Sequence, residues 1–310
     1  MGIELVAGLG AALCWGIFAW LGTLAARQMG GWITNMGATL ASVVLLVPVG
    51  LVAWPLRLAD PGALDLVLLT IVAVGVLVVD VLIFQLVAMA PVALVYPIFA
   101  SNSAVVTVLA VVVLGETLSP VQVAAVVLVA CGIFLIAWRR GEAPAGMPGT
   151  GDGLRAGPGR SSRRIPDRAS LGVIVAAIGL TLLAGVVIFI LAGRIKVLGW
   201  FPPLFLERAI QGVVIVAALA GGYPPRAQLR GHPARWWWTL GAMGLANVIA
   251  SVFYGIGNEV GSTAITATIT STFGAVPVVL GIVLLGERPA RRQLAGIVAA
   301  LAGVVLLGAA

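Results

Sequence analysis

The sequence predicts an all-α polytopic membrane protein with ten transmembrane helices, arranged as two inverted five-helix repeats. Three observations predict it. Of 310 residues, 61% are hydrophobic and 9% charged, and mean hydropathy is +1.14. Soluble chains carry about 25% charged residues, so this composition excludes a soluble enzyme, a disordered chain and a nucleic-acid-binding domain. Second, the chain divides into ten apolar segments, each near the ~20 residues that cross a bilayer. Third, the last five segments echo the first five at an offset of 171 residues: Leu114-Gly115-Glu116 returns as Leu285-Gly286-Glu287, Gln122 as Gln293 and Gly132 as Gly303. An odd number of spans per repeat forces the two repeats into opposite orientations, an arrangement that places a binding site near the midplane between them.

In chain order the segments are 3–26, 34–54, 66–89, 92–114, 120–138, 170–193, 203–220, 236–256, 263–285 and 292–307. Backbone polar groups in lipid must be satisfied within the segment, which makes these helices. Ten-residue alternation is absent, which excludes an outer-membrane barrel. Segment 3–26 is too long for a signal-peptide core and lacks a basic leader, so it reads as a retained first span. Trp32, Trp54, Trp138, Trp200 and Trp236-Trp237-Trp238 fall at segment ends, where amphipathic rings favour the headgroup layer. Residues 139–169, rich in Gly, Pro, Ser and Arg, read as a flexible linker. Residues 1–138 therefore form the first repeat and 170–310 the second.

The net charge is +7. Fourteen of the 18 basic residues flank segments on the linker side, three lie on the other side, and Arg208 lies within a span. The positive-inside rule then puts the linker in the cytoplasm and both termini outside. Cys14 and Cys131 each sit in an apolar run and suggest neither a disulfide framework nor a metal site. His232, in a Pro/Arg-rich loop, reads as a solvated histidine. No cofactor is expected. Phosphate-loop, nucleophile-elbow and zinc-protease motifs are all missing, so neither ATPase nor hydrolase chemistry is predicted.

The repeated motif has a structural explanation. Gly115 can end a helix in the left-handed conformation. Ser119 can cap the next helix, with Pro120 at its first position and Gln122 at capping-box spacing. Glu116 and Glu287 then read as interfacial carboxylates, and Gly286 and Gln293 repeat the turn-and-cap roles. Asp80 is different. It lies past the middle of the third segment, where a charge costs about 2.5–3.5 kcal/mol, so it should face a cavity or a partner. It is the candidate coupling or cation-binding group; the alternative is a hydrogen-bonded Asp that ties helices together. Arg208, near the start of the seventh segment, could contact an anionic substrate group, or snorkel. Its neighbour Glu207 points about 100° away around the helix, so the two need not pair. Tyr96, Ser101 and Asn102 in the fourth segment, Asn247 and Tyr254 in the eighth, and Ser271 and Thr272 in the ninth form a polar set on repeat-equivalent helices. They read as a candidate pathway, or as ordinary helix–helix contacts. Pro97 and Pro277 are candidate kink sites.

The paired Leu-Gly-Glu…Gln…Gly pattern resembles EamA-type transporters of the drug/metabolite transporter superfamily. So do Cys14-Trp15-Gly16 in the first span, Ala90-Pro91-Val92-Ala93, Phe205-Leu206-Glu207-Arg208 and Ala275-Val276-Pro277. The resemblance adds Trp15 and Gly16 to the candidate pathway. It implies export or exchange of small metabolites through a cavity lined by spans one, three, four, six, eight and nine, with spans five and ten peripheral. It also implies cytoplasmic termini, opposite to the charge count. The expected partners are a small-molecule substrate and the lipid bilayer, with a proton or counter-solute and a homodimeric copy compatible, and no nucleic acid. The expected location is the inner (plasma) membrane of a prokaryote. A lipid-carrier flippase on the same fold and a non-transporting membrane scaffold are the alternatives.

Overall fold

The computed structural model describes residues 2–56, 59–90, 92–137, 171–224, 226–229, 231–277, 279–280 and 291–309. The region expected as a linker, 139–169, and Gly286 and Glu287 lie outside them. Before that region run α1 (Gly2–Met29), α2 (Gly31–Ala53), a 3-10 turn (Trp54–Leu56), α3 (Ala63–Met89), α4 (Val92–Ala100), α5 (Asn102–Val113) and α6 (Pro120–Ala137). After it run α7 (Leu171–Leu198), α8 (Phe201–Ala220), the short α9 (Arg226–Leu229), α10 (Ala234–Val260), α11 (Thr263–Thr270), a second 3-10 turn (Ser271–Ala275) and α12 (Arg291–Ala309). The described residues contain no strand.

Among the described residues, six helices are long and apolar enough to cross a membrane: Gly2–Met29, Gly31–Gly50, Ala63–Met89, Val175–Leu198, Phe201–Ala220 and Ala234–Val260. Shorter apolar helices span Ile98–Val113, Pro120–Gly132 and Leu294–Leu306. The outer surface is itself apolar, with Val52, Val112, Val213 and Val305 all exposed. A helix that is hydrophobic on every side suits a hydrocarbon surround, not water.

The fourth and ninth segments are not continuous helices. α4 stops at Ala100 and α5 begins at Asn102; α11 gives way to 3-10 geometry from Ser271. The cause is local. The Ser101 hydroxyl donates to Ile98 O at 2.6 Å, the Ser271 hydroxyl to Thr268 O at 2.6 Å, and the Thr272 hydroxyl to Ile269 O at 2.7 Å. Hydroxyls bonded three residues back compete with the helical ladder and tighten the turn. The breaks therefore lie at the hydroxyl residues, downstream of Pro97 and upstream of Pro277, where kinks were expected.

The helices interlock in pairs. α1 packs on α10, α3 on α7, and α2 on both α8 and α10. α6 and α12 pack mainly on each other, at the periphery. Their closeness depends on glycine: a Cβ at Gly132 would meet the backbone of Ala300 and Gly296, and one at Gly303 would meet Val129 and the carbonyl of Ala125. Small residues allow this approach in membranes.

Candidate functional site

A cavity of about 130 Å³ lies between the two halves of the chain. α1 contributes Trp15 and Phe18, α3 contributes Val76, Asp80 and Phe84, and the α4–α5 break contributes Tyr96, Phe99 and Asn102. The other half contributes Ala184 and Ile188 from α7, Glu207 and Arg208 from α8, Asn247, Ser251 and Tyr254 from α10, and Thr270, Ser271 and Phe273 from the α11 break. Aromatic rings form much of the wall. Trp15 and Tyr254 stack with centroids 5.3 Å apart, Phe18 and Phe84 at 5.4 Å, and Tyr96 meets Phe273 edge-on at 6.4 Å. Tyr96 is anchored, its hydroxyl donating to Ala19 O at 3.0 Å.

The charged groups fall into two kinds. Glu207 and Arg208 are both buried and neutralise each other, with Arg208 Nε 3.4 Å from Glu207 Oε2. Two more contacts hold the guanidinium: Nη1 donates to Gln211 Oε1 at 2.9 Å and Nη2 to Asn247 Oδ1 at 3.4 Å. Gln211 in turn donates to Glu207 Oε1 at 2.8 Å and to Ala73 O at 3.1 Å. Trp15 Nε1 donates to Asn247 Oδ1 at 3.0 Å, which joins α1 to the network. A buried charge pair persists only when its remaining donors and acceptors are satisfied, and Gln211 and Asn247 do this. Asp80 is the other kind. It opens to the cavity, has no hydrogen-bonding partner among the described residues, and feels Arg208 and Glu207 electrostatically.

A second polar cluster lies outside the cavity. Gly115 has φ +68°, the left-handed turn expected of it. The turn delivers Glu116 to the start of α11. Its carboxylate accepts from Thr263 N at 2.9 Å, Ala264 N at 3.0 Å and the Ser262 hydroxyl at 2.7 Å, and lies 3.0 Å from Lys196 Nζ. Glu4 of α1 accepts from Ser262 N at 2.8 Å. Burial pushes the Glu116 carboxyl up, but the donors at Ala264, Ser262 and Thr263, with Lys196, outweigh it and hold the group below its ordinary value. Ser119 and Gln122 form the reciprocal capping box at the start of α6, with Ser119 N to Gln122 Oε1 at 2.9 Å and Gln122 N to Ser119 Oγ at 3.2 Å.

Of the residues singled out in the sequence, Asp80, Arg208, Trp15, Tyr96, Asn102, Asn247, Tyr254 and Ser271 meet at the cavity. Three do not. Gly16 faces Val276, where a side chain would collide. Thr272 is buried against its own backbone. Ser101 opens into a separate lateral pocket of about 220 Å³ beside α6, with Ser103, Thr107 and Phe134. Glu116, read as an interfacial carboxylate, is a helix cap that links the two halves. The Gln293 side chain lies outside the described residues. Glu207 and Arg208 do pair, because a long guanidinium bends back across the 100° that separates the neighbours. Gln211 was not singled out. Its signal is an amide in an apolar helix, four residues after one charge and three after the other. Span seven, absent from the expected lining, supplies both buried charges.

Residues 2–138 match the model of the EamA-like transporter family. No curated protein matches the chain. A crystal structure described only as that of a protein superposes with a TM-score of 0.67 at 14% identity, covering 98% of this chain and 95% of the other. At that identity the likeness shows the fold alone.

Proposed function

We propose, from the match of residues 2–138 to the EamA-like transporter family, that the chain is a ten-span secondary transporter of two inverted repeats, 1–138 and 170–310, joined by the linker. It exports or exchanges a small metabolite, amino acid or drug-like solute by alternating access, and it is not an enzyme. The observation that carries this reading is the pair of interrupted helices. The breaks at Ser101 and at Ser271-Thr272 are repeat-equivalent at the 171-residue offset, and both border the cavity. Discontinuous helices at a repeat interface are how many transporters build a midplane site.

Other features support the same reading. Six pairs of positions 171 residues apart line the cavity together: Val76 and Asn247, Asp80 and Ser251, Ile83 and Tyr254, Tyr96 and Ala267, Phe99 and Thr270, Asn102 and Phe273. The contact of α1 with α10 mirrors that of α7 with α3, and the glycine contacts between α6 and α12 are reciprocal at the same offset. Asp80 is the proposed coupling residue, because it is the cavity's unpaired charge. The lateral pocket at Ser101 favours a second reading, a flippase that admits a lipid tail from the side.

Charge movement in proteoliposomes on a supported membrane tests the proposal, with amino acids, organic amines and a pH step as challenges. A substrate-dependent current that Asp80→Asn abolishes supports transport coupled at Asp80. A current retained in the variant removes Asp80 from that role. Silence in this assay together with lipid scrambling would favour the flippase.

A further inference from the structure

The cavity's polar groups say what charge its ligand carries. Of the described residues lining it, two are acids and one is a base. The base is already engaged: each of the three Arg208 nitrogens has a protein contact, in Glu207, Gln211 and Asn247, which together take three of its five N–H groups. A substrate carboxylate would share this space with two acids. Asp80 has no hydrogen-bonding partner among the described residues, and when ionised it gives the cavity one more negative than positive group.

We propose, building on the transporter reading, that this cavity binds a small protonated primary amine with an apolar or aromatic body, and discriminates against the corresponding amino acid. The ammonium donates to the Asp80 carboxylate, which lines the cavity. A quaternary ammonium has no N–H and would leave that carboxylate without a donor. The body lies among Trp15, Phe84 and Phe273, whose ring faces also attract a cation. Size agrees. At roughly 10–15 Å³ per water-sized occupant, a cavity of about 130 Å³ holds about ten such units, near the bulk of phenethylamine and below that of drug-sized ligands. Orientation is fixed as well, because the repeat mate of Asp80 is the uncharged Ser251. The two halves offer the same positions with different chemistry, so the amine has one polar end to choose.

Calorimetric titration of the purified full-length protein in detergent tests this with three probes of one skeleton: phenethylamine, phenylalanine and 3-phenylpropionate. The expected result is phenethylamine binding at least ten-fold tighter than the other two, with Asp80→Asn lowering its affinity at least ten-fold while the protein still elutes as a single species. Equal or tighter binding of phenylalanine or 3-phenylpropionate, or no binding of phenethylamine, overturns the assignment. The ranking on the unaltered protein decides even where Asp80→Asn fails to fold. Flux of the same probes in proteoliposomes is read separately. Flux of phenylalanine without amine binding rejects the amine and keeps the transporter. Amine binding without flux of any probe keeps the site and counts against transport.

Discussion

Removing the Glu116 carboxylate should cost more stability than removing its lysine partner. Glu116→Ala deletes three hydrogen bonds to one charged acceptor, from Thr263 N, Ala264 N and the Ser262 hydroxyl. Bonds to a charged group contribute about 1.5–3 kcal/mol each when buried. The Glu116 side chain is 13% exposed, so water can reach part of what is freed. The three bonds also share one carboxylate and do not add fully. Together with loss of a favourable charge at the start of α11, these terms give about 2–4 kcal/mol. Lys196→Ala removes only an ion pair whose ammonium side is 33% exposed, which is worth about 0.2–1 kcal/mol. Denaturant titration of the purified protein in detergent, followed by far-ultraviolet circular dichroism, gives both values. Equal stability of the two variants would refute the reasoning, since it would mean that the cap contributes no more than the ion pair.

The same carboxylate gives a pH dependence. Because the folded protein holds Glu116 below its ordinary value of 4.5, its contribution is complete above that value and is lost as pH falls below it; melting curves from pH 6 to 3 should steepen their decline there, and Glu116→Gln should flatten that part. Gly132→Leu puts a side chain against the backbone of Ala300 and should destabilise by about 1–3 kcal/mol, read by the same titration, whereas Gly179→Leu, with open space around it, should change stability little. Gln211→Leu strips a bond from both Glu207 and Arg208 and frees Ala73 O; a loss of about 2–4 kcal/mol is expected, and a neutral result would show that the buried pair does not need the amide.

The helical architecture was legible because lipid leaves a chain few options. Long apolar runs, Trp at their ends and a motif repeated 171 residues on required no tertiary knowledge. Asp80 was legible for the same reason: one carboxyl amid Val78, Val79, Val81 and Leu82 needs a polar space, and it lines one. The breaks were misplaced because proline is the visible interrupter, whereas the hydroxyls of Ser101, Ser271 and Thr272 act by bonding back to carbonyls three residues earlier. The Glu116 cap was hidden because its partners are about 150 residues away in sequence. Angular spacing left open whether Glu207 and Arg208 pair, since it describes where side chains leave the helix and not how far a guanidinium can bend; the two do pair.

The central claim is that solute passes through the cavity between the repeats. Ser251→Cys, in a chain whose free Cys14 and Cys131 are first replaced by Ala, places a thiol on the cavity wall opposite the Asp80 half. The measurement is substrate-driven charge movement in proteoliposomes before and after reaction with a methanethiosulfonate reagent. The account predicts that labelling abolishes the current, that substrate slows labelling, and that the cysteine-free parent is unaffected. Full labelling with the current unchanged would contradict it.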